Sequence, residues 1–388
     1  MEISTCVKYV GVNDHQVDLF EGQYKVPNGM SYNSYVILDE KIAVMDTVDG
    51  FFTEEWLNNV EQVLDGKMPD YLIIQHMEPD HSASIPAFLK KYPKTTVVST
   101  AKGFQFMEQF FPEFFAGQGL PAEQRIVAAN DGVLELGQHS LHFVYAPMVH
   151  WPEVMMTYEA TEKILFAADG FGKFGALDVE EEWADEARRY YIGIVGKYGP
   201  QVQAVLKKTA GLDIQTICSL HGPVLKENLG FYLEKYDKWS SYQPEESGVV
   251  IAYASVYGNT RNAAEYLADV LHEKGQKTVL YDLARCDKAK AVADAFRYDR
   301  LVLAGITYNG DLFPCMRSFI EGLTERNYQN RKVAIIENGT WAPMAGKLIL
   351  GMFEKSKNLT FTETKVSIKS AMNAQNKEEI GKLAEELS

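Results

Sequence analysis

The chain has 388 residues, 46% of them hydrophobic and 12% aromatic, which excludes a disordered protein and allows a large core. At roughly 150 residues per domain the length asks for two or three domains. Lys and Arg number 38 against 53 Asp and Glu, and the resulting net charge of −15 argues against nucleic acid and anionic membrane surfaces as partners.

No run of ~18 apolar residues occurs. The start, Met1-Glu2-Ile3-Ser4-Thr5-Cys6, lacks the basic and apolar regions of a signal peptide, so a cytoplasmic location is expected. The four cysteines, Cys6, Cys218, Cys286 and Cys315, form no C-x-x-C pair, which excludes a rubredoxin-type iron site; inert thiols are expected.

In chain order, β-branched and aromatic enrichment predicts strands over 34–38, 42–46, 71–75, 95–99, 141–146, 154–158 and 163–168. Helices are predicted over Thr53–Leu64, with Thr53 as N-cap, and across 180–208. Many short strands with flanking helices imply two sheets with helices outside. The polar, turn-rich stretch 240–248 predicts a linker. Beyond it, strands over 249–254, 277–283, 300–306, 331–336 and 361–368 alternate with helices over 262–274, 314–323, 344–353 and 377–387. Continuous apolar strands in strict alternation with helices predict a doubly wound parallel sheet. The expected division is 1–245 and 246–388.

Directly after the apolar run Tyr71-Leu72-Ile73-Ile74 comes His76-Met77-Glu78-Pro79-Asp80-His81, two imidazoles and two carboxylates at a strand end. His150 follows the strand 141–146, Asp169 ends 163–168, and His221 ends the apolar stretch 214–220. Ligands at several strand ends open into one mouth, as a metal centre requires. His15, His139, His142 and His272 are assigned no role. Mixed imidazole and carboxylate ligation suits non-haem iron, whereas hydrolytic zinc sites are richer in imidazole; softness alone leaves zinc and manganese open.

In the second part, the strand 249–254 runs into Ser255-Val256-Tyr257-Gly258-Asn259-Thr260 and then a helix, an arrangement whose N–H groups and dipole favour a phosphate. Two further loops, Thr307-Tyr308-Asn309-Gly310-Asp311 and Glu337-Asn338-Gly339-Thr340-Trp341, follow the third and fourth strands, where a doubly wound sheet places its ligand; since the loop 255–260 resembles the phosphate loop of flavodoxins, they would flank a flavin ring, with Tyr308 or Trp341 as aromatic wall. No G-x-G-x-x-G follows a strand, so FMN is favoured over a dinucleotide.

The hexapeptide resembles the metallo-β-lactamase signature His-x-His-x-Asp-His with Glu78 in place of its second histidine, and the loop 255–260 resembles the phosphate loop of flavodoxins. Together with His150-Trp151-Pro152 and Asn338-Gly339-Thr340-Trp341-Ala342-Pro343, the chain resembles the flavodiiron proteins, also called A-type flavoproteins, of the minimal two-domain class. The resemblance implies an αββα sandwich followed by a flavodoxin-like domain, with FMN and two irons as cofactors. It gives His76, Glu78 and His150 to one iron and Asp80 and His221 to the other, with Asp169 bridging; His81 is a ligand or a neighbour, and Trp151 lies beside the ligands.

The implied activity is reduction of dioxygen to water, of nitric oxide to nitrous oxide, or both, in an anaerobic or microaerophilic cell. The implied electron donor is a rubredoxin, a flavin reductase or a reduced deazaflavin. The implied assembly is a head-to-tail homodimer or a dimer of dimers. The choice of gas would rest on residues such as Tyr24, Tyr32 and Trp151. The alternatives are a metal-dependent hydrolase with an accessory flavodoxin domain, and an electron-transfer or scaffolding flavoprotein with a degenerate metal site.

Overall fold

A computed structural model describes residues 3–117 and 119–388. The chain divides into two compact units, one running to Tyr191 and taking in Pro200–Glu234, the other made of Ile192–Gly199 and Lys235–Ser388.

The first unit is built on two mixed sheets. One has the strand order Val7–Tyr9, Tyr35–Ile37, Ala43–Met45, Tyr71–Ile73, Thr96–Ser99, Arg125–Val127. The other has the order Val133–Glu135, Ser140–Tyr145, Met155–Glu159, Ile164–Phe166, Thr216–Cys218. Val7, Tyr35, Met45, Ile73 and Val98 from the first sheet share a core with Leu141, Phe143, Met155, Phe166 and Cys218 from the second. The strands are short and the inner ones are buried on both sides, which is why those read as continuous apolar runs without strict alternation. Ala43–Met45, Tyr71–Ile73 and Thr96–Ser99 are mutually parallel, as are Ile164–Phe166 and Thr216–Cys218. Their C-terminal ends, and the loops that follow, therefore gather at common sheet edges.

In the second unit the parallel strands Thr278–Asp282, Glu246–Tyr253, Tyr298–Tyr308 and Arg331–Asn338 stand in that order, followed by Leu359–Phe361 and Val366–Ile368, both paired to Arg331–Asn338. The order 2-1-3-4-5 is the flavodoxin-like one, with its switch point beside the first strand. Val249, Ile251, Val302, Ala334 and Ile336 pack against Ala263, Leu267 and Leu271 of the helix Asn259–Glu273 and against Ile380 and Leu383 of the helix Ala374–Glu386. Among the described residues, no helix is long and apolar enough to cross a membrane.

Several local expectations are corrected. Thr53 is the first residue of its helix and not its N-cap. A 3-10 turn, Gly50–Phe52, capped by the Asp49 carboxylate, precedes it, and the Thr53 hydroxyl donates to the Gly50 carbonyl at 2.9 Å. The stretch 180–208 is not one helix: α-helix Trp183–Tyr190 passes through a π segment, Tyr191–Val195, and a 3-10 turn, Gly196–Tyr198, into a second α-helix, Gly199–Thr209. Strand 361–368 splits in two because only its ends pair with the neighbouring strand. The polar stretch 240–248 is a connection only over 241–245: helix Leu229–Ser240 claims its start and strand Glu246–Tyr253 its end, where Asp299 accepts the Gly248 N–H at 2.8 Å. The helix Lys288–Arg297 gave no expectation. Its start is fixed by the Asp287 side chain accepting from Ala289 and Lys290, and small alanines form much of its buried face.

Candidate functional site

Strand Tyr71–Ile73 ends beneath the Asp46 carboxylate, which accepts the Gln75 N–H at 2.7 Å and the Gln75 side-chain amide at 2.8 Å. The chain is thereby turned so that His76 points inward. Glu78 is the N-cap residue of a single helical turn, Pro79–Ser82, with Pro79 at its first position, and that turn presents Asp80 and His81 on the same side. Two groups of donors result: His76, Glu78, His150 and Asp169 in one, and Asp80, His81 and His221 in the other.

In the first group, the Glu78 Oε2 lies 3.3 Å from the His76 Nε2 and 3.0 Å from the His150 Nε2. The Asp169 Oδ2 lies 3.5 Å and 3.1 Å from the same two nitrogens. In the second, the Asp80 Oδ2 is 3.3 Å from both the His81 Nε2 and the His221 Nε2, and those two nitrogens are 3.0 Å apart. The other oxygen of Asp169, Oδ1, is 3.3 Å from the His81 Nε2. One carboxylate thus turns one oxygen to each group.

The outer nitrogens of two imidazoles are already spoken for. The His76 Nδ1 donates to the Glu153 Oε1 at 2.8 Å, and that oxygen also accepts the Met77 N–H at 2.9 Å. The His221 Nδ1 donates to the Ser31 carbonyl at 2.7 Å. With Nδ1 protonated, a neutral ring turns its Nε2 lone pair inward, against carboxylate oxygens at His76 and against a second imidazole at His221. Such an arrangement repels itself unless a cation sits within it. Both carboxylate oxygens of Asp80 and the Oδ1 of Asp169 are buried without a hydrogen-bond partner in the protein, as the oxygens of metal ligands are. The donor set fits a pair of metal ions.

Burial works against the imidazolium of His150, yet the hydrogen bonds it donates to the Asp169 and Glu78 carboxylates push it up to about 9. His76 and His81 are raised in the same way, chiefly by Asp169 and Asp80 respectively, against the burial that opposes them. Burial would raise the Asp169 and Glu78 carboxyls, but the facing histidines outweigh it and hold both below the usual carboxylate range.

Aromatic side chains line the cluster. Trp151 lies 5.3 Å from the His76 ring and stacks on Phe110 at 6.3 Å, while Phe20 and Tyr190 stand 5.4 Å and 5.5 Å from His221. Tyr32 lies 6.0 Å from His221 and donates to Asp14; Tyr24 packs on Phe174.

The second unit holds a cavity of about 430 Å³ at the C-terminal ends of its central strands, within the size range of small-molecule sites. Of the anticipated residues, Ser255, Val256, Tyr257, Asn259, Thr260, Thr307, Tyr308, Asn309, Gly310, Asn338, Gly339, Thr340 and Trp341 line it, joined by Ile306, Ala342, Met344 and Ser370. Gly258 lines a smaller neighbouring cavity and, at φ +91°, turns the chain into the helix Asn259–Glu273, whose first N–H groups have no intrahelical acceptor. The loops are preformed: the Thr307 hydroxyl accepts the Met344 and Ala345 N–H groups, and the Asn338 amide donates to the Thr260 hydroxyl and the Ser370 carbonyl. At the rim, Tyr257 is 92% exposed and Trp341 82% exposed, two rings left in water. An anion cradle beside an apolar slot with aromatic rings fits FMN.

Residues 30–222 match the model of the ODP family beta lactamases and residues 250–363 that of a flavodoxin domain. Among solved structures, the flavodiiron protein from Giardia intestinalis superposes with a TM-score of 0.92 at 25% identity, covering 100% of this chain and 95% of that one. The chain is a two-domain flavodiiron protein. The rubredoxin:oxygen oxidoreductase from Desulfovibrio gigas shares the fold, with a TM-score of 0.91 at 24% identity over 99% of this chain and 96% of that one. The anaerobic nitric oxide reductase flavorubredoxin of Vibrio vulnificus is 28% identical over 355 residues, 88% of this chain and 70% of its own. An uncharacterized protein of Methanocaldococcus jannaschii is also 28% identical, over 326 residues, 82% of this chain and 80% of its own.

In this flavodiiron protein, then, FMN and a diiron pair have matching places, and the fused flavodoxin domain weighs against the hydrolase alternative. His81, open from sequence, stands with its Nε2 inside the second donor group. Three positioning groups escaped the sequence: Asp46, Glu153 and the Ser31 carbonyl. Glu153 is buried directly after His150-Trp151-Pro152, and only that adjacency hinted at it.

Proposed function

We propose that this chain is a terminal reductase that takes dioxygen to water, nitric oxide to nitrous oxide, or both, drawing electrons from a rubredoxin or a flavin or deazaflavin reductant. The observation that carries this is the placement of Asp169, whose two oxygens face two separate groups of His and carboxylate donors. His76, Glu78 and His150 would hold one iron, Asp80, His81 and His221 the other, and Asp169 would bridge them. Bound together, the irons and FMN supply up to four electrons, enough to carry dioxygen to two waters without releasing peroxide.

The protein's own part is positioning and exclusion. Glu153 and the Ser31 carbonyl fix the ring orientation of His76 and His221, so that each turns its Nε2 inward. Trp151, Phe20 and Tyr190 wall the donors with apolar surface, which keeps bulk water from the reacting gas. The Ser255–Thr260 turn would hold the FMN phosphate and the 307–310 and 338–341 loops its ring. We assign residues 1–245 to the diiron domain and 246–388 to the FMN domain. Exposed rings at the flavin rim support a head-to-tail homodimer, or a dimer of dimers, in which a second copy covers them. A reducing cytoplasm suits the four free cysteines.

Anaerobic stopped-flow of the reduced protein against each gas, with iron and flavin analysis of the same sample, tests the proposal. Rapid reoxidation by at least one gas is expected. Protein that holds zinc and no flavin, or that reduces neither gas, would sink it.

A further inference from the structure

At the end of the first unit's sheets opposite the diiron cluster, four loops converge. Cys6 precedes strand Val7–Tyr9, Asp39 follows Tyr35–Ile37, His139 lies in the turn before Ser140–Tyr145, and Glu162 lies in the turn before Ile164–Phe166. The Cys6 Sγ, a His139 ring nitrogen and a Glu162 carboxylate oxygen all lie within 4.8 Å of one another.

The His139 ring is held as a metal ligand is held. Its Nδ1 donates to the Asp39 Oδ2 at 2.8 Å, and the same oxygen accepts the His139 backbone N–H at 2.7 Å. The carboxylate thus fixes both tautomer and ring plane, and Nε2 is left to face the Glu162 Oε1 at 3.7 Å. Glu162 is itself fixed from behind, its backbone N–H bound to the Glu159 carboxylate at 2.6 Å, while its Oε2 is buried with no hydrogen-bond partner. His139 is 4% exposed. Among the described residues no Lys or Arg pairs with either Asp39 or Glu162, so the cluster holds two carboxylates and a thiol around one imidazole with no fixed cation.

We infer that Cys6, His139 and Glu162 form a mononuclear site for a divalent cation of the zinc class, with Asp39 as the positioning residue behind His139. Thiolate, imidazole and carboxylate are the three donor types zinc takes, and three protein ligands leave a fourth position for water. Bonds of about 2.0–2.3 Å place neighbouring tetrahedral ligand atoms about 3.3–3.8 Å apart, so the His139 to Glu162 spacing already fits and the half-buried Cys6 needs only to swing inward. Soft sulfur sets this site apart from the diiron cluster, which contains none.

The test uses the holoprotein with iron and FMN in place, equilibrated with one equivalent of zinc, freed of loose metal and analysed for zinc, iron and FMN. One zinc per chain is expected, with iron and FMN undiminished, and its X-ray absorption should show a single sulfur ligand. By competition with a chromogenic chelator, Cys6→Ser and Glu162→Gln should each weaken zinc binding about tenfold or more, and Asp39→Asn about ten- to a hundredfold. Failure to retain zinc, retention only at the expense of iron, or an unchanged affinity in Cys6→Ser overturns the inference. Cys6→Ser is nearly isosteric at a half-buried position, so the test stands even where a variant at buried Asp39 does not fold.

Discussion

Replacing Glu153 separates the positioning of a ligand from ligation itself. Its Oε1 is the acceptor for both the His76 Nδ1–H and the Met77 N–H, at 2.8 and 2.9 Å, and the residue is buried. In Glu153→Ala both donors lose their acceptor, each at a cost of about 1–3 kcal/mol of stability. The imidazole, no longer held in one tautomer, should bind iron about ten- to a hundredfold less tightly, about 1.4–2.7 kcal/mol. Glu153→Gln keeps an acceptor oxygen but loses the charge, and should fall between Ala and the native protein. The assay is dialysis against a graded chelator followed by iron and FMN analysis, with melting of the iron-stripped protein alongside. Iron should be lost first from one position of two, while FMN stays. If Glu153→Ala holds both irons as tightly as the native chain and melts unchanged, the carboxylate does not position His76, and the account of how this strand end is built is wrong.

Asp169→Asn removes the carboxylate that faces both donor groups, so gas reduction should be abolished and iron content should collapse while FMN absorbance is retained; retained turnover would revive the scaffold alternative. Gly258→Ala meets no obstruction, since the nearest atom to an added Cβ is the Arg261 side chain at 3.6 Å, but it forces an L-residue to φ +91°. That strain costs about 1–2 kcal/mol and should weaken FMN binding about five- to thirtyfold in a fluorescence titration, provided the loop relaxes when the flavin leaves. The iron-free protein should lose stability as pH rises. His150 titrates near 9 when folded against about 6.5 unfolded, so its contribution, about 3 kcal/mol at most, is complete below pH ~6.5 and gone once pH passes through 9. Melting of stripped protein between pH 6 and 10 checks this, and iron loading should flatten the profile; a stripped protein whose melting point rises over that range contradicts the charge pattern of the cluster.

Legibility from sequence followed the range of the interaction. His76, Glu78, Asp80 and His81 were visible because one strand end and one helical turn deliver all four within six residues. His150, Asp169 and His221 were visible because each follows an apolar strand within a few residues; the strands before Asp169 and His221 are parallel neighbours, and the strand before His150 runs in the same direction two places away, so all three ends reach one edge. The flavin loops read for the same reason in the second unit. What stayed hidden was set by partners far along the chain. Glu153 meets His76 across 77 positions and Ser31 meets His221 across 190, and no local spacing marks either residue.

The same logic explains why His81 stayed open while its neighbours did not. Its position in the helical turn fixes where its Cα lies, but whether its ring turns inward depends on Asp169 and His221, which reach it from the other sheet at 3.3 and 3.0 Å. His139 is the mirror case. It was passed over as an isolated histidine, yet Asp39 pins its ring from 100 positions away, and Cys6 and Glu162 close on it from two further loops. A histidine's neighbours in sequence indicate whether it can be a ligand; the carboxylate or carbonyl behind its other nitrogen indicates whether it is built as one, and that partner is a property of the fold.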